Sequence, residues 1–114
     1  MITLEPISET PGAFVVRGAL DIYAASEVRG PLIEALQQNE IVELHLAAVD
    51  EIDASGVQIL LAAKQMASSL THGFKLVSHS KPVLEALELC NLLAYFGDPV
   101  VEYGSSRPAK EAQG

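Results

Sequence analysis

The sequence predicts a single mixed α/β domain, a four- to five-stranded sheet packed with helices, and three observations point to it. The 114 residues fit one compact domain, because domains most often run to roughly 100–150 residues and too little chain remains for a second core. Apolar residues make up 49% and charged residues 19%, a balance that sustains a packed core and opposes intrinsic disorder. From residue 41 onward strand-like and helix-like patterns alternate, which implies right-handed crossovers and a mainly parallel sheet. A hairpin pattern at the start adds an antiparallel part.

Residues 2–7 alternate apolar and polar side chains until Pro6 intervenes, as a short edge strand does. Thr10, Pro11 and Gly12 signal a turn, and the run AFVVR (13–17), closed by Gly18, completes the hairpin. Ile22, Ala25, Val28, Leu32, Ala35 and Leu36 then keep helical spacing, with Asp21 set to favour the positive N-terminal end. Gly30 and Pro31 fall inside this pattern. A kink or a pair of short helices is expected there, since Pro31 has no N–H for the carbonyl one turn back. The mostly apolar stretch IVELHLA (41–47) alternates around Glu43 and His45 and predicts a central strand covered on at least one face. A second helical pattern opens at Ser55 and runs through Val57, Ile59, Leu60, Leu61, Ala63, Met66, Ala67 and Leu70. Its first two turns are apolar nearly all round, which predicts a buried helix, ended by Gly73 after His72. FKLV (74–77) supplies another strand. Ser80 as N-cap, Pro82 in the first turn and the stripe Val83, Leu84, Leu87, Cys90 predict a third helix. A last short strand is expected near residues 100–103, which places the domain at 1–103. Residues 104–114, without periodicity, are expected to form a mobile tail.

Composition also excludes several classes. Seven Lys plus Arg against fifteen Asp plus Glu give a formal net charge of −8, which opposes binding to nucleic-acid phosphates. The longest apolar stretch, 57–63, is interrupted by Gln58 and ended by Lys64, far short of the ~20 residues that span a bilayer. No basic-then-apolar secretory leader opens the chain and Cys90 is the single cysteine, so no disulfide framework is expected and the cytoplasm is the default compartment. His45, His72 and His79 lack metal-ligand spacing with one another or with Cys90, and no Gly-rich phosphate loop occurs, so neither a metal nor another cofactor is expected. A nucleophile elbow needs glycines where Asp53 and Val57 flank Ser55. An enzyme is therefore the least favoured class.

One dense constellation remains: Val49-Asp50-Glu51-Ile52-Asp53-Ala54-Ser55-Gly56, where a strand hands over to the apolar helix. Sheet folds of this type place function at the carboxyl ends of their strands. Ser55 and Gln58 have the spacing of a capping box, in which both side chains satisfy free backbone N–H groups. A helix N-terminus also suits a phosphate, whose charge its free N–H groups and dipole stabilise, so capping and phosphorylation are compatible.

The segment AVDEIDASGVQILL (48–61) resembles the signature of STAS domains, the family that includes bacterial anti-sigma factor antagonists, in which Asp, Ser or Thr, Ser and Gly precede a long apolar helix. Gly18-Ala19-Leu20-Asp21 resembles the family's G-x-L-D segment, and residues 75–80 followed by a Pro-led helix are similar too. The resemblance covers residues 2–103. It implies a small signalling protein whose Ser55 is phosphorylated by a partner that is both an anti-sigma factor and a Ser kinase. The unphosphorylated form binds that partner and frees the sigma factor, and a Ser phosphatase reverses the modification. Carried over by position, Ser55 is the acceptor, Asp53 helps fix the loop or the kinase complex, and Asp21 lies in the neighbouring loop. Ala54 departs from the usual Ser or Thr and leaves Ser55 as the lone acceptor. The implied partner-binding set is Asp21, Asp53, Ala54, Ser55, Gly56, Val57 and Leu60, where Val57 and Leu60 supply contact area or simply core. Residues 21–25 and 91–100 resemble STAS proteins found with chemotaxis components. A signalling adaptor of that kind and a cytoplasmic accessory subunit of a membrane transporter are the other expectations.

Overall fold

The structure, a computed structural model, describes residues 2–96. Two strands, β1 (Ile2–Pro6) and β2 (Ala13–Leu20), are followed by α1 (Ala24–Gln38), β3 (Ile41–Ile52), α2 (Ala54–Ser69), β4 (Gly73–Val77), α3 (Lys81–Leu89) and the single turn α4 (Leu93–Phe96). The four strands form one sheet in the order β1-β2-β3-β4. The pair β1–β2 is antiparallel, and β2–β3 and β3–β4 are parallel. The expected final strand and tail lie outside the described residues.

Register explains how the sheet divides apolar from polar. Leu4, Val16 and Phe14 on the first two strands line up with Leu44 and Leu76 on the other two, and Val42 lies opposite Phe74. These side chains share one face, as the period of two requires, and they join the buried residues of α1, α2 and α3 in a single core cluster. The opposite face carries Thr3, Glu5, Arg17, Glu43, His45 and Lys75, exposed or half-buried. There Arg17 Nη2 meets Glu5 Oε1 at 3.5 Å and His45 Nε2 lies 2.9 Å from Glu43 Oε1. The result is a two-layer domain with its helices on one side of the sheet.

Because the helices form a single layer, α2 is less buried than its apolar first turns suggest. Gly56, Val57, Leu60, Ala63 and Ala67 are buried, whereas Gln58, Ala62 and Gln65 face solvent. The strands run longer than the turn signals predict. Gly18 does not close β2 but sits within it at φ +111°, next to a register slip where β3 holds one extra residue, and a similar slip lies between Val15 and Arg17. Such bulges increase twist and re-aim a strand end. They carry β3 past Ala47 as far as Ile52, alongside Leu20. Gly73 does not end α2 either. Thr71 takes the left-handed conformation at φ +62°, the His72 N–H donates to the Ala67 carbonyl at 2.8 Å and the Thr71 N–H to that of Ser68 at 3.0 Å. This is the paired hydrogen bonding of a Schellman motif, and Gly73 opens β4. The third helix starts as expected, with Ser80 Oγ accepting from the Val83 N–H at 3.4 Å and Pro82 in the first turn.

Instead of two short helices, α1 is one helix that includes Pro31. Val28 and Leu32 on either side of the proline are buried with Ala35 and Leu36, while Glu27 and Pro31 are exposed. Packing of that stripe against the sheet outweighs the missing hydrogen bond, and the carbonyl it frees belongs to the exposed residue Glu27. Pro31→Ala should restore that bond and raise stability by about 1–2 kcal/mol, after allowance for the looser unfolded chain. The urea midpoint measures it, and a midpoint at or below that of the parent would contradict a cost at Pro31.

Candidate functional site

Both parallel crossovers leave the sheet at the same end, and an aspartate pins each. After β2, Asp21 Oδ1 accepts from the N–H groups of Tyr23 at 3.0 Å and Ala24 at 3.2 Å, closing the turn into α1. After β3, Asp53 is the N-cap of α2: its Oδ1 accepts from the Gly56 N–H at 3.1 Å, and its own carbonyl accepts from Val57 at the same distance. The Asp53 N–H donates back to the Leu20 carbonyl at 3.2 Å and so ties the two loops together. An Asp cap of this kind stabilises a helix by about 1 kcal/mol.

The cap assignment corrects the expectation for Ser55. The capping box is not formed, because Asp53 takes the N-cap and Ser55 becomes the second residue of α2. An aspartate two residues earlier, with extended backbone at φ −122°, reaches the free N–H first. The Ser55 hydroxyl consequently makes no hydrogen bond among the described residues. Ser55 is half-buried and opens on a cleft of about 420 Å³ between α1 and α2. Apolar side chains, among them Val28, Leu32, Ile59 and Met66, form most of its walls. Among the described residues, Ser55, Gln58 and Arg29 are its polar ones, and of these Arg29 alone is charged.

Of the residues expected at a partner surface, the structure brings Asp21, Asp53, Ala54 and Ser55 together at this end. Ala54 and Asp53 are exposed and Asp21 is half-buried. Val57 and Leu60 do not supply contact area. They are 4% and 1% exposed, turned into the core because α2 lies flat on the sheet. Gly56 is buried as well, and its role is spatial: a Cβ there would collide with the Leu20 carbonyl oxygen and lie 2.9 Å from Ile52 Cγ1. Ile22, read in the sequence as the first core position of the helix, instead precedes α1 and is 64% exposed, next to Tyr23 at 78%. Two large exposed side chains at the same end of the sheet as Ser55 were concealed in the sequence because Ile22 continues the helical spacing of Ala25 and Val28. Asp50 and Glu51 are exposed on the same rim. Among the described residues no group of three His, Cys, Asp or Glu is gathered as metal ligands, and no helix is long and apolar enough to cross a membrane.

Solved structures share this fold. The anti-sigma factor antagonist SpoIIAA in its unphosphorylated form is 21% identical, with 90% of this chain and 91% of that chain covered at a TM-score of 0.66. The Bacillus cell fate determinant SpoIIAA in the phosphorylated form is 20% identical, with 90% and 95% covered at 0.62. An anti-sigma factor antagonist from Mycobacterium paratuberculosis is 20% identical, with 90% and 88% covered at 0.70. At these identities the likeness establishes the fold. No curated protein sequence matches the chain. The STAS domain profile, by contrast, matches residues 5–103, from the end of β1 through both aspartate-pinned loops and beyond α4, and on that match the chain belongs to the STAS domain family.

Proposed function

We propose that this chain is a phosphorylation-switched protein-binding module, an anti-sigma factor antagonist without catalytic activity of its own that acts in the cytoplasm. It docks an anti-sigma factor with Ser kinase activity while Ser55 carries a free hydroxyl. That partner transfers the γ-phosphoryl group of ATP to Ser55 Oγ, the hydroxyl proton leaves to a base of the kinase, and ADP departs. A Ser phosphatase hydrolyses the ester and resets the module. The observation that carries this proposal is the uncommitted Ser55 hydroxyl, released from capping by Asp53 and opening on a cleft.

The switch needs no refolding. Phosphorylation adds about −1.5 to −2 charges on a rim that already holds Asp50, Glu51 and Asp53. Bringing that group into an interface requires its desolvation, and any carboxylate opposite it adds repulsion. A penalty of ~3–4 kcal/mol lowers affinity several hundredfold, since each ~1.4 kcal/mol is tenfold. Ile22 and Tyr23 offer the kind of exposed anchor on which interface energy concentrates.

Incubation with ATP and a cognate Ser kinase, followed by mapping of phosphate by mass spectrometry, tests the proposal. One phosphate on Ser55, absent in Ser55→Ala, is the expected result. A kinase that docks the protein yet leaves Ser55 unmodified overturns it, as does stable association with membrane subunits that is indifferent to Ser55.

A further inference from the structure

Among the described residues, the cleft that Ser55 opens on has one charged wall residue, and it is a cation in a chain of net charge −8. Arg29 stands on α1 and Ser55 on α2, and both residues line the same space. Arg29 is exposed and has no ion pair among the described residues, whereas Arg17 is engaged by Glu5 on the far face of the sheet. The two helices start at the same end of the sheet, and Arg29 lies one turn further from that end than Ala25, which lines the cleft with Ser55. Helical side chains lean toward the N-terminus of their helix, so the lean of Arg29 is toward the level of Ser55. We infer that Arg29 is the internal binding residue for the phosphate on Ser55, pairing with it across the cleft and bridging α1 to α2.

This inference rests on the proposal that Ser55 is the modified residue, and it adds how the modified state is held. A guanidinium presents a planar fork that matches two phosphate oxygens at once, so Arg is suited to the task in a way that a lysine is not. The pair would also offset the repulsion between a dianion and the exposed carboxylates Asp50, Glu51 and Asp53 that precede α2. Once paired, the phosphate is drawn over the mouth of the cleft, and the apolar walls beneath it are less open to a visiting side chain.

The test uses the full chain with phosphoserine installed at position 55 by codon reassignment, so that no kinase is needed, and follows its ³¹P shift against pH. A nearby cation favours the dianion and lowers the second ionisation from its ordinary value near 6. In Arg29→Gln that ionisation should rise by about 0.3–0.7 unit at low salt, and the difference should shrink at high salt. Arg29→Lys should retain only part of the lowering. Lys75→Gln, which removes the same charge from the exposed face of β4, should leave the ionisation unchanged. Equal values in the parent and Arg29→Gln would overturn the pairing, and so would a shift of the same size in Lys75→Gln. Because the phosphate is installed directly, this result is independent of whether phosphorylation abolishes docking, which affinity measurements on the same phosphoprotein decide separately.

Discussion

Ser55→Asp should weaken docking of the kinase partner by about 100-fold, a loss of roughly 2.7 kcal/mol, while Ser55→Ala stays within a few-fold of the parent. The two variants differ chiefly in charge. Both remove a hydroxyl that holds no structural hydrogen bond among the described residues, so neither should disturb the start of α2, whose cap is Asp53. Aspartate adds a carboxylate to a rim that already displays Asp50, Glu51 and Asp53, and it carries less charge than a phosphate. Its effect should therefore fall short of true phosphorylation. Calorimetry or surface binding against the partner checks the prediction at physiological salt, where screening leaves a desolvated pair largely intact. Equal affinities for Ser55→Asp and Ser55→Ala would contradict an electrostatic veto.

The second large effect is expected one residue further on. Gly56→Ala should destabilise the fold by about 3 kcal/mol and lose docking together with stability. The added methyl meets backbone on one side and a core side chain on the other, the Leu20 carbonyl and Ile52 Cγ1. The carbonyl cannot move away cheaply, because it accepts the Asp53 N–H that ties the two loops together. Relief would come from lifting the first turn of α2, which would break the Asp53 cap and carry Ser55 with it. Urea unfolding of Gly56→Ala beside Ala54→Ser, an exposed neighbour where the change should stay within about 0.5 kcal/mol, provides the comparison. A Gly56→Ala midpoint matching that of the parent would show that the approach of α2 to β2 does not depend on glycine.

Most of the architecture was legible in the sequence because hydrophobic periodicity reports burial directly. The hairpin, the two parallel crossovers and the Ser80-capped third helix all follow from spacing that the sheet then honours. Element ends were less legible. Gly18 and Gly73 are turn signals on composition, yet one lies inside a bulged strand and the other begins one, since cross-strand pairing overrode local preference. The two-helix alternative at Pro31 fails in the opposite sense, because the cost of a lost helical bond is visible in sequence and the packing that offsets it is not. At the site, the motif singled out Ser55 and Asp53 but not which of them caps α2. Two residues that can both cap a helix compete, and only backbone geometry decides that Asp53 prevails. Ile22 and Arg29 were out of reach for a similar reason: which side of α1 faces α2 is a tertiary fact.

The placement of both aspartate caps at one end has an electrical consequence. Asp21 and Asp53 sit where two helix dipoles present their positive poles. The same carboxylates that steady those helices locally also combine with Asp50 and Glu51 to give this end of the molecule an anionic field at longer range. A partner with a basic surface would be steered toward the Ser55 end before contact, and its association rate should then fall as ionic strength rises. The same few side chains would then serve both fold maintenance and long-range attraction.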